Sequence, residues 1–264
     1  MSLPSVPDTF RWTDEPWGAA LRCRPLEAIA PHLFTTRQLQ LSSHTHVGLL
    51  NKAIGASQIE MVRQVHGREV TVVRRGVDRA VAPPEADALI SDDPAAAIAV
   101  RAADCVPLLM ADRTRGVVAA VHAGWRGTAA RVAVAALAAL GREFGTHPRD
   151  IVAAIGPSIG ACCYEVGSEL VDAFAAAGHE RSLIDRWFAT PPAPRGSFQA
   201  GKPRLRLDVA GANRDQLILA GVAAAEIHLS GLCTAMHLDV LTSYRAEKEN
   251  AGRIAGVIRS GAGA

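Results

Sequence analysis

The sequence lacks the features typical of nucleic-acid-binding proteins and of membrane proteins. Its charge is almost balanced, with 28 basic and 26 acidic residues and a formal net charge of +2. Aromatic residues make up only 5% of the chain, and no basic run interleaved with aromatic residues occurs. Without such a patch we expect no nucleic-acid partner. No stretch approaches the roughly 18 uninterrupted apolar residues of a membrane helix, so we expect no membrane partner.

Cysteine is scarce and badly distributed for disulfide bonding. The chain has five cysteines, an odd number, and Cys162 and Cys163 are adjacent. This is a poor disulfide framework. The first residues also lack the basic start and apolar run of a secretory signal. Both observations predict a protein of the reducing cytoplasm.

Apolar sequence, by contrast, is abundant. Hydrophobic residues make up 49% of 264 residues, enough for the core of one large domain. Short β-branched runs alternate with helical patterns, which predicts the α/β (mixed α+β) class. We expect a single domain over residues 33–260, with a mixed β-sheet flanked by helices. Residues 1–32 are predicted to be irregular, with a short helix around residues 17–21.

Further elements follow from local signals in the chain. The patterns predict helices over 128–144, 168–177 and 208–219, a strand over 151–155, a last strand over 253–258 that closes the sheet, a surface loop over 38–51, and a long ordered loop or flap over 181–206. The rest of the sequence is organised around residues 104–127, which carry the polar residues of greatest chemical interest.

This central stretch has the pattern of an antiparallel hairpin. Two apolar runs, Val106 to Ala111 and Val117 to Val121, flank a polar turn. If the turn is symmetric about residues 113 and 114, Cys105 and His122 are direct cross-strand partners. Such partners have Cβ atoms roughly 4.5 to 5.5 Å apart. Thiolate and imidazole are both zinc ligands, although each residue also suits an ordinary buried position.

Two other polar groups have both a functional and a structural interpretation. His44 and His46 could share a metal, but solvated loop histidines are the favoured interpretation. Residues 124–127, Gly-Trp-Arg-Gly, enter a helix with exposed backbone N–H groups beside an arginine. Helix N-termini attract anions, which makes phosphate a plausible ligand. The alternative is that the glycines permit close strand–helix packing.

Several motifs together resemble a known family. They are Phe34-Thr-Thr-Arg37, Arg63-Gln-Val-His66-Gly67, Ala86-Asp-Ala-Leu-Ile-Ser91, Ala103-Asp-Cys105-Val-Pro107, His122-Ala-Gly-Trp-Arg-Gly127, Gly156-Pro-Ser-Ile-Gly160 and Ser243-Tyr-Arg245. The sequence resembles the YfiH family, also called the laccase-domain or multicopper polyphenol oxidoreductase family, whose members are described as purine nucleoside phosphorylases. The resemblance covers residues 33 to 258, and it implies a YfiH-like fold.

The resemblance implies a zinc site made by His66, Cys105 and His122, with copper as a possible substitute. Three protein ligands leave one zinc position open, as in catalytic sites. Cys105 and Asp104 are the predicted catalytic residues. In a regular strand Asp104 would point away from its neighbour, so only a bend brings it into the site. Its alternative role is a structural hydrogen-bond partner.

The residues expected to bind substrate carry charge or hydrogen-bonding groups. They are Arg37, Gln64, Arg126, Tyr244 and Arg245, with the arginines available for phosphate and the tyrosine for stacking on a base. The expected partners are a purine nucleoside and phosphate, and the expected assembly is a monomer or small homo-oligomer. The segments 38–62 and 246–253 depart from the family pattern and border the expected pocket.

The resemblance implies a zinc-dependent purine nucleoside phosphorylase acting on adenosine or inosine. Adenosine deamination and methylthioadenosine phosphorolysis are further implied activities. One alternative is a copper-dependent polyphenol oxidoreductase, or laccase. Multicopper centres use several His-x-His pairs, and this chain has one among its nine histidines. The other alternative is a zinc amidohydrolase that edits cell-wall precursors.

Overall fold

The structure, a computed structural model, describes most of the chain. It covers residues 3–39, 41, 44–77, 82–188 and 205–261, with backbone only at residue 44. The strands in chain order are β1 (Phe10–Glu15), β2 (Gly18–Cys23), β3 (His32–Thr35), β4 (Gln58–Glu60), β5 (Val70–Val73), β6 (Ala88–Ser91), β7 (Ala96–Ala102), β8 (Val106–Asp112), β9 (Val118–Ala123), β10 (Ile151–Ile155), β11 (Glu165–Val166), β12 (Leu205–Arg206), β13 (Ile227–Leu229) and β14 (Ile254–Arg259). The helices are α1 (Arg24–Glu27), α2 (His44–Ile54), α3 (Trp125–Ala129), α4 (Val132–Phe144), α5 (Ser168–Ala176), α6 (Arg181–Trp187), α7 (Val209–Leu219) and α8 (Tyr244–Glu247).

The larger strands divide into two six-stranded mixed sheets. The first has the order β1-β2-β3-β14-β7-β4, and the second has the order β13-β10-β8-β9-β6-β5. Neighbours are antiparallel except at the β7–β4, β10–β13 and β5–β6 pairs, which are parallel. The predicted α/β class with mixed sheet and flanking helices is confirmed. The division into two sheets is a feature that periodicity did not indicate.

The central strands of the sheets, such as β8, β9 and β10, are buried on both faces, which explains why they are continuous apolar runs. Along β8, Leu108 and Met110 pack in the cluster shared with α4 and α7, whereas Leu109 packs in the cluster between the sheets. A third cluster joins the outer face of the first sheet to Leu50 and Ile54 of α2. The layers are therefore helix, sheet, sheet and helix.

Phe34 occupies the space between the two sheets and depends on nearby glycines. A Cβ at Gly156 would lie 2.4 Å from the Phe34 ring, and one at Gly256 would lie 3.2 Å from it. Real Cβ atoms do not approach ring carbons as closely as the first distance, so the ring packs against bare backbone. These contacts set how closely β10 and β14 approach each other.

The prediction for the N-terminal segment is wrong. β1 and β2 form an antiparallel hairpin that pairs Phe10 with Cys23 and extends the first sheet through β3. Four of the five residues predicted as a short helix, 18–21, lie in β2, which starts at Gly18 with φ of +118°. The sequence signal was weak because this outer hairpin is only partly buried. The loop predicted over 38–51 is also wrong in its second half, where α2 begins at His44.

The long helix predicted over 128–144 is broken into α3 and α4. Arg131 lies at the break with φ of +61°, a left-handed conformation that costs an L-residue about 1 kcal/mol. Its guanidinium donates hydrogen bonds to the carbonyls of Ala177 and Gly178, at 2.7 and 2.9 Å. These bonds tie the break to the end of α5 and hold it in place.

Other predicted elements have mixed outcomes. The strand at residues 151–155 is confirmed as β10, and the helices at 168–177 and 208–219 are confirmed as α5 and α7. The last strand exists, but it lies inside the first sheet between β3 and β7 rather than closing an edge. The flap predicted over 181–206 begins with α6, and residues 189–204 lie outside the described residues. No helix of the described residues is long and apolar enough to cross a membrane.

Candidate metal centre and its cavity

The central hairpin is present, with a register that differs from the predicted one. Val106 pairs with Ala123 and Pro107 pairs with His122, so direct pairing of Cys105 with His122 is wrong by two residues. The turn is longer because Asp112 accepts hydrogen bonds from the backbone N–H groups of Thr114 and Arg115, at 2.8 and 3.1 Å. A shift of two residues preserves the face on which a side chain lies. Both residues therefore still reach the same site.

Three potential metal ligands converge at the start of this hairpin. The ligand atoms of His66, Cys105 and His122 all lie within 4.8 Å of one another. Cys105 lies just before β8, His122 lies in β9, and His66 lies in the loop between β4 and β5. The two imidazole rings meet edge to face, with centroids 4.9 Å apart. Hairpin register alone indicates two of the three ligands, and family resemblance supplies the third.

A glycine makes this convergence possible. A Cβ at Gly124 would lie 2.9 Å from Sγ of Cys105 and 3.0 Å from Cδ2 of His66. The space for both ligands therefore depends on the missing side chain at the N-terminus of α3. A Cβ at Gly127 would lie 3.0 Å from the Gly67 carbonyl oxygen and 3.6 Å from that of His122 in β9, which supports the close-packing interpretation of the Gly-Trp-Arg-Gly turn.

Asp87 organises the site, and sequence reasoning gave it no role. It is fully buried and accepts a hydrogen bond from Nδ1 of His122 at 2.8 Å. It also accepts backbone N–H bonds from Val65, His66 and Gly67, at 3.2, 3.0 and 2.6 Å. One carboxylate thus holds the His66 loop, where φ is +62°, and orients the His122 ring. The only sequence signal was its place in the Ala-Asp-Ala-Leu-Ile-Ser motif.

Without a metal, the charges of the site favour a thiolate at Cys105 and a protonated His122, which loses a proton when a metal binds. Burial opposes charge on Cys105, but hydrogen bonds from His122 and His66 outweigh it and lower the pKa of the thiol to about 6. Burial also opposes charge on His122, yet its bonds to Asp87 and Cys105 raise its pKa to about 9. Burial of Asp87 is likewise outweighed by bonds from His122 and Gly67, so its pKa is lowered.

These residues fit a bound metal ion. Because Nδ1 of His122 is bonded to a carboxylate, Nε2 is left to act as a ligand, as in carboxylate–histidine–zinc arrangements. The Cys105 sulfur is readily available as a thiolate, the form that binds metals. Two imidazoles and one thiolate form an accepted zinc set with one position left over.

The ligand group lies in the wall of a large cavity. Its volume is about 810 Å³, within the usual range for small-molecule sites. Trp125, Tyr164 and Tyr244 contribute aromatic surface to the lining. The charged side chains among its described lining residues are Arg63, Arg101, Arg245, Arg253 and Asp104. Because four of these five side chains are arginines, the cavity attracts anions.

The structure brings some of the predicted substrate residues to this cavity. Gln64, Tyr244 and Arg245 line it, whereas Arg37 and Arg126 are not among its lining residues. The Gln64 side-chain amide is already bonded in both directions to the backbone of Arg101, at 2.8 and 2.9 Å. It therefore fixes the cavity wall.

The two arginines outside the lining have other partners. Arg37 forms a 3.0 Å ion pair with Glu247 of α8 and donates to the carbonyl of Leu238. Arg126 stacks over the ring of Trp125, with its guanidinium 4.4 Å from the ring centroid. Both therefore support neighbours of the cavity.

Asp104 lies at a bend, with φ of +89°, just before the ligand cysteine. Its two oxygens accept hydrogen bonds from the hydroxyl of Thr234 and the backbone N–H of Arg245, both at 2.6 Å. The Arg245 guanidinium donates to the carbonyl of Glu165 at 2.8 Å and lies 5.2 Å from the Tyr164 ring centroid. Asp104 thus ties the start of α8 to the cavity, which matches its structural alternative.

Comparison with known proteins identifies the family of this chain. The family described as multi-copper polyphenol oxidoreductase laccase matches residues 36–260, so the chain belongs to that family. In fold it matches the crystal structure of the hypothetical protein YfiH of Bacillus licheniformis. The TM-score is 0.82 at 25% identity, and the match covers 96% of this chain and 100% of that one.

Several relatives of this chain have names that state an enzyme activity. A purine nucleoside phosphorylase of Deinococcus radiodurans is 33% identical, over 86% of this chain and 88% of its own length. A purine nucleoside phosphorylase of Bacteroides thetaiotaomicron is 38% identical over 64% of this chain, which spans 58% of that relative. An adenosine deaminase named RL5, from an unknown prokaryotic organism, is 36% identical over 76% of this chain and 74% of its own length. These similarities support a phosphorylase-like enzyme.

Proposed function

We propose that this protein is a zinc-dependent purine nucleoside phosphorylase that cleaves adenosine or inosine with phosphate. The observation that carries the proposal is the composition of one cavity, where a His-Cys-His ligand group lies with four arginines and three aromatic rings. A purine, a sugar and an anion each find matching chemistry there. Methylthioadenosine contains the same glycosidic bond and is a further expected substrate.

His66, Cys105 and His122 would hold the zinc. Bound zinc would supply Lewis-acid chemistry at the remaining position. Asp87 fixes the orientation of His122, since its carboxylate accepts a hydrogen bond from Nδ1–H. Cys105 acts as a ligand in this proposal, because metal ligation would quench it as a nucleophile.

Phosphate would bind to the arginines of the cavity. Arg245 is the best positioned of them, because its guanidinium is fixed by the Glu165 carbonyl and the Tyr164 ring. Asp104 contributes by holding the Arg245 backbone at 2.6 Å, so we assign it a positioning role. Charge-assisted bonds from arginine to phosphate oxygens are short and geometrically specific.

The reaction replaces one bond at the ribose C1′ with another. A phosphate oxygen bonds to C1′ as the bond to N9 breaks, and the base leaves with that electron pair and takes up a proton. Trp125, Tyr164 and Tyr244 provide aromatic faces for the purine. Burial and the nearby Cys105 raise the pKa of Tyr164 to about 12, so its hydroxyl stays protonated at neutral pH. That hydroxyl serves as a hydrogen-bond donor.

Adenosine deamination is a second candidate activity, favoured by the relative named adenosine deaminase. In that reaction water adds at C6 of the base and ammonia leaves. The laccase alternative is disfavoured, because among the described residues only His66 and His122 share a potential metal group. Multicopper centres require more histidines than this. The amidohydrolase alternative would need no phosphate.

Product analysis with and without phosphate tests the proposal. Zinc-loaded protein is incubated with adenosine or inosine, and free base, ribose 1-phosphate and inosine formed from adenosine are quantified. We expect free base and ribose 1-phosphate only when phosphate is present. His122→Ala should lose turnover and bound zinc, whereas His147→Ala, at an exposed histidine, should keep both. Absence of phosphate-dependent cleavage of either nucleoside would overturn the proposal.

A further inference from the structure

A second cluster of sulfur atoms lies outside the first ligand group. Sγ atoms of Cys162, Cys163 and Cys233 all lie within 4.8 Å of one another. The first two residues follow β10 in the loop that leads to β11, and the third lies after β13. The fold thus brings an adjacent pair together with a cysteine 70 residues further along the chain.

Backbone hydrogen bonds join the two loops that carry these cysteines. The N–H of Ser158 donates to the carbonyl of Leu232 at 3.2 Å, and the N–H of Thr234 donates to the carbonyl of Ser158 at 3.0 Å. Cys233 lies between the two residues that form these bonds, Leu232 and Thr234, and makes a parallel β-bridge with Ser158. The scaffold of the cluster is therefore fixed independently of its sulfur atoms.

Gly160 adapts this scaffold to the sulfurs. Its backbone N–H donates a 3.3 Å hydrogen bond to Sγ of Cys233. A Cβ at this position would lie 3.3 Å from Sγ of Cys162, so the glycine leaves room for the cluster. N–H bonds to sulfur stabilise thiolate ligands in metal centres.

The three sulfurs are close to the spacing of a metal-thiolate site. With metal–sulfur bonds of roughly 2.3 Å, tetrahedral ligands lie roughly 3.8 Å apart, so the sulfurs need to approach by about 1 Å or less. Three thiolates at such short distances require a cation to neutralise them. Cys162 is exposed and provides access from solvent.

We propose that Cys162, Cys163 and Cys233 form a second metal site, which binds a thiophilic d¹⁰ cation, Zn²⁺ or Cu⁺. Thiolate ligands select these soft or borderline ions over hard cations such as Mg²⁺. Binding forms three metal–sulfur bonds and releases the protons held by the thiols. The ion cross-links the loop after β10 to the loop after β13. Tyr164 follows Cys163 directly and contacts Arg245 in the main cavity, so the cross-link stiffens one wall of that cavity.

Metal stoichiometry tests this site in the full-length protein. Metal-free, fully reduced protein is titrated with Zn²⁺, and in a separate arm with Cu⁺ against a chromophoric Cu⁺ chelator. We expect two bound equivalents in the wild type with at least one of the ions. Cys162→Ser and Cys233→Ser should each reduce this to one, while retaining zinc at the first site. Cys23→Ser removes a buried cysteine outside the cluster and should leave two.

The two arms also identify the ion. Two zinc equivalents assign Zn²⁺, and a Cys233-dependent equivalent seen only with Cu⁺ assigns that ion. Cys162→Ser alters an exposed residue, so it remains informative if Cys233→Ser fails to fold. One equivalent in the wild type with each ion, unaffected by Cys162→Ser, would overturn the proposal. A disulfide would overturn it too, shown by two fewer free thiols than the five expected in denatured, unreduced protein.

Discussion

Replacing Asp87 with asparagine should reveal what this carboxylate contributes to the metal centre, because all three metal ligands remain in place. In the native site, Oδ1 accepts the bonds from the His66 backbone and from Nδ1 of His122, and Oδ2 accepts those from Val65 and Gly67. An asparagine has one acceptor oxygen and one NH₂ group. Whichever way its amide is turned, two native donors face an NH₂ group and lose their bonds.

The size of the effect follows from these lost bonds. A donor left without a partner costs about 1–3 kcal/mol, so two donors should lower the free energy of unfolding by about 2–6 kcal/mol. Loss of a carboxylate that supports a histidine ligand typically weakens metal binding by about 10- to 100-fold. Asp87→Asn should therefore lower both stability and zinc affinity while all three ligands remain present.

Two assays measure these effects separately. Urea denaturation of metal-free protein gives the free energy of unfolding, and competition with a chromophoric chelator gives zinc affinity. Asp92→Asn is the matched control, because Asp92 accepts one backbone bond, from Arg75, away from the site. Zinc affinity and stability that matched the wild type in Asp87→Asn would refute the supporting role of this carboxylate.

Three further predictions concern individual positions. His32 is buried with a pKa lowered to about 4 from 6.5, because burial and the positive charge of Arg22 oppose its protonation. Its Nε2 accepts a hydrogen bond from the Cys23 N–H. The unfolded chain binds more protons between these values, so the free energy of unfolding should fall by about 3 kcal/mol as the pH drops from 6.5 to 4. Urea denaturation at a series of pH values should show that the free energy of unfolding depends less steeply on pH in His32→Gln than in the wild type. An unchanged pH dependence would contradict this assignment. Gly124→Ala should weaken zinc binding by about tenfold or more, since its Cβ would contact two ligands, whereas Gly48→Ala should leave the affinity unchanged in the same chelator assay. In thermal or urea unfolding, Arg131→Gly should be about 1 kcal/mol more stable than Arg131→Ala, because both residues must adopt a positive φ at this position and only alanine is strained there. Equal stabilities would argue against strain at this break.

The sequence predicted the local parts of the site better than its long-range parts. Cys105 immediately precedes one strand of a hairpin and His122 lies in the other, so alternation of residues placed them on one face despite the register error. His66 comes from a loop whose position depends on the pairing of β4 with β7. No periodic pattern near His66 encodes that distance. Only the family resemblance indicated this ligand. Asp87, which holds the His66 loop, was assigned no role.

The same distinction explains the errors in the fold. The strands with continuous apolar runs, such as β8 and β10, were visible because both their faces are buried. β1 is half exposed, and its sequence has no such run. The helix break at Arg131 depends on two carbonyls at the end of α5, contacts that only the tertiary structure provides. Sheet order was similarly inaccessible, because β14 joins partners from distant parts of the chain.

The interior position of β14 also determines when this protein can complete its fold. β3 and β7 emerge from the ribosome long before residues 254–259, the strand that must be inserted between them. Until then each presents an unpaired edge, and such edges promote association between chains. Loop closure over more than 200 residues further slows this pairing. The first sheet is therefore completed late, and we expect the nascent chain to depend on protection by chaperones.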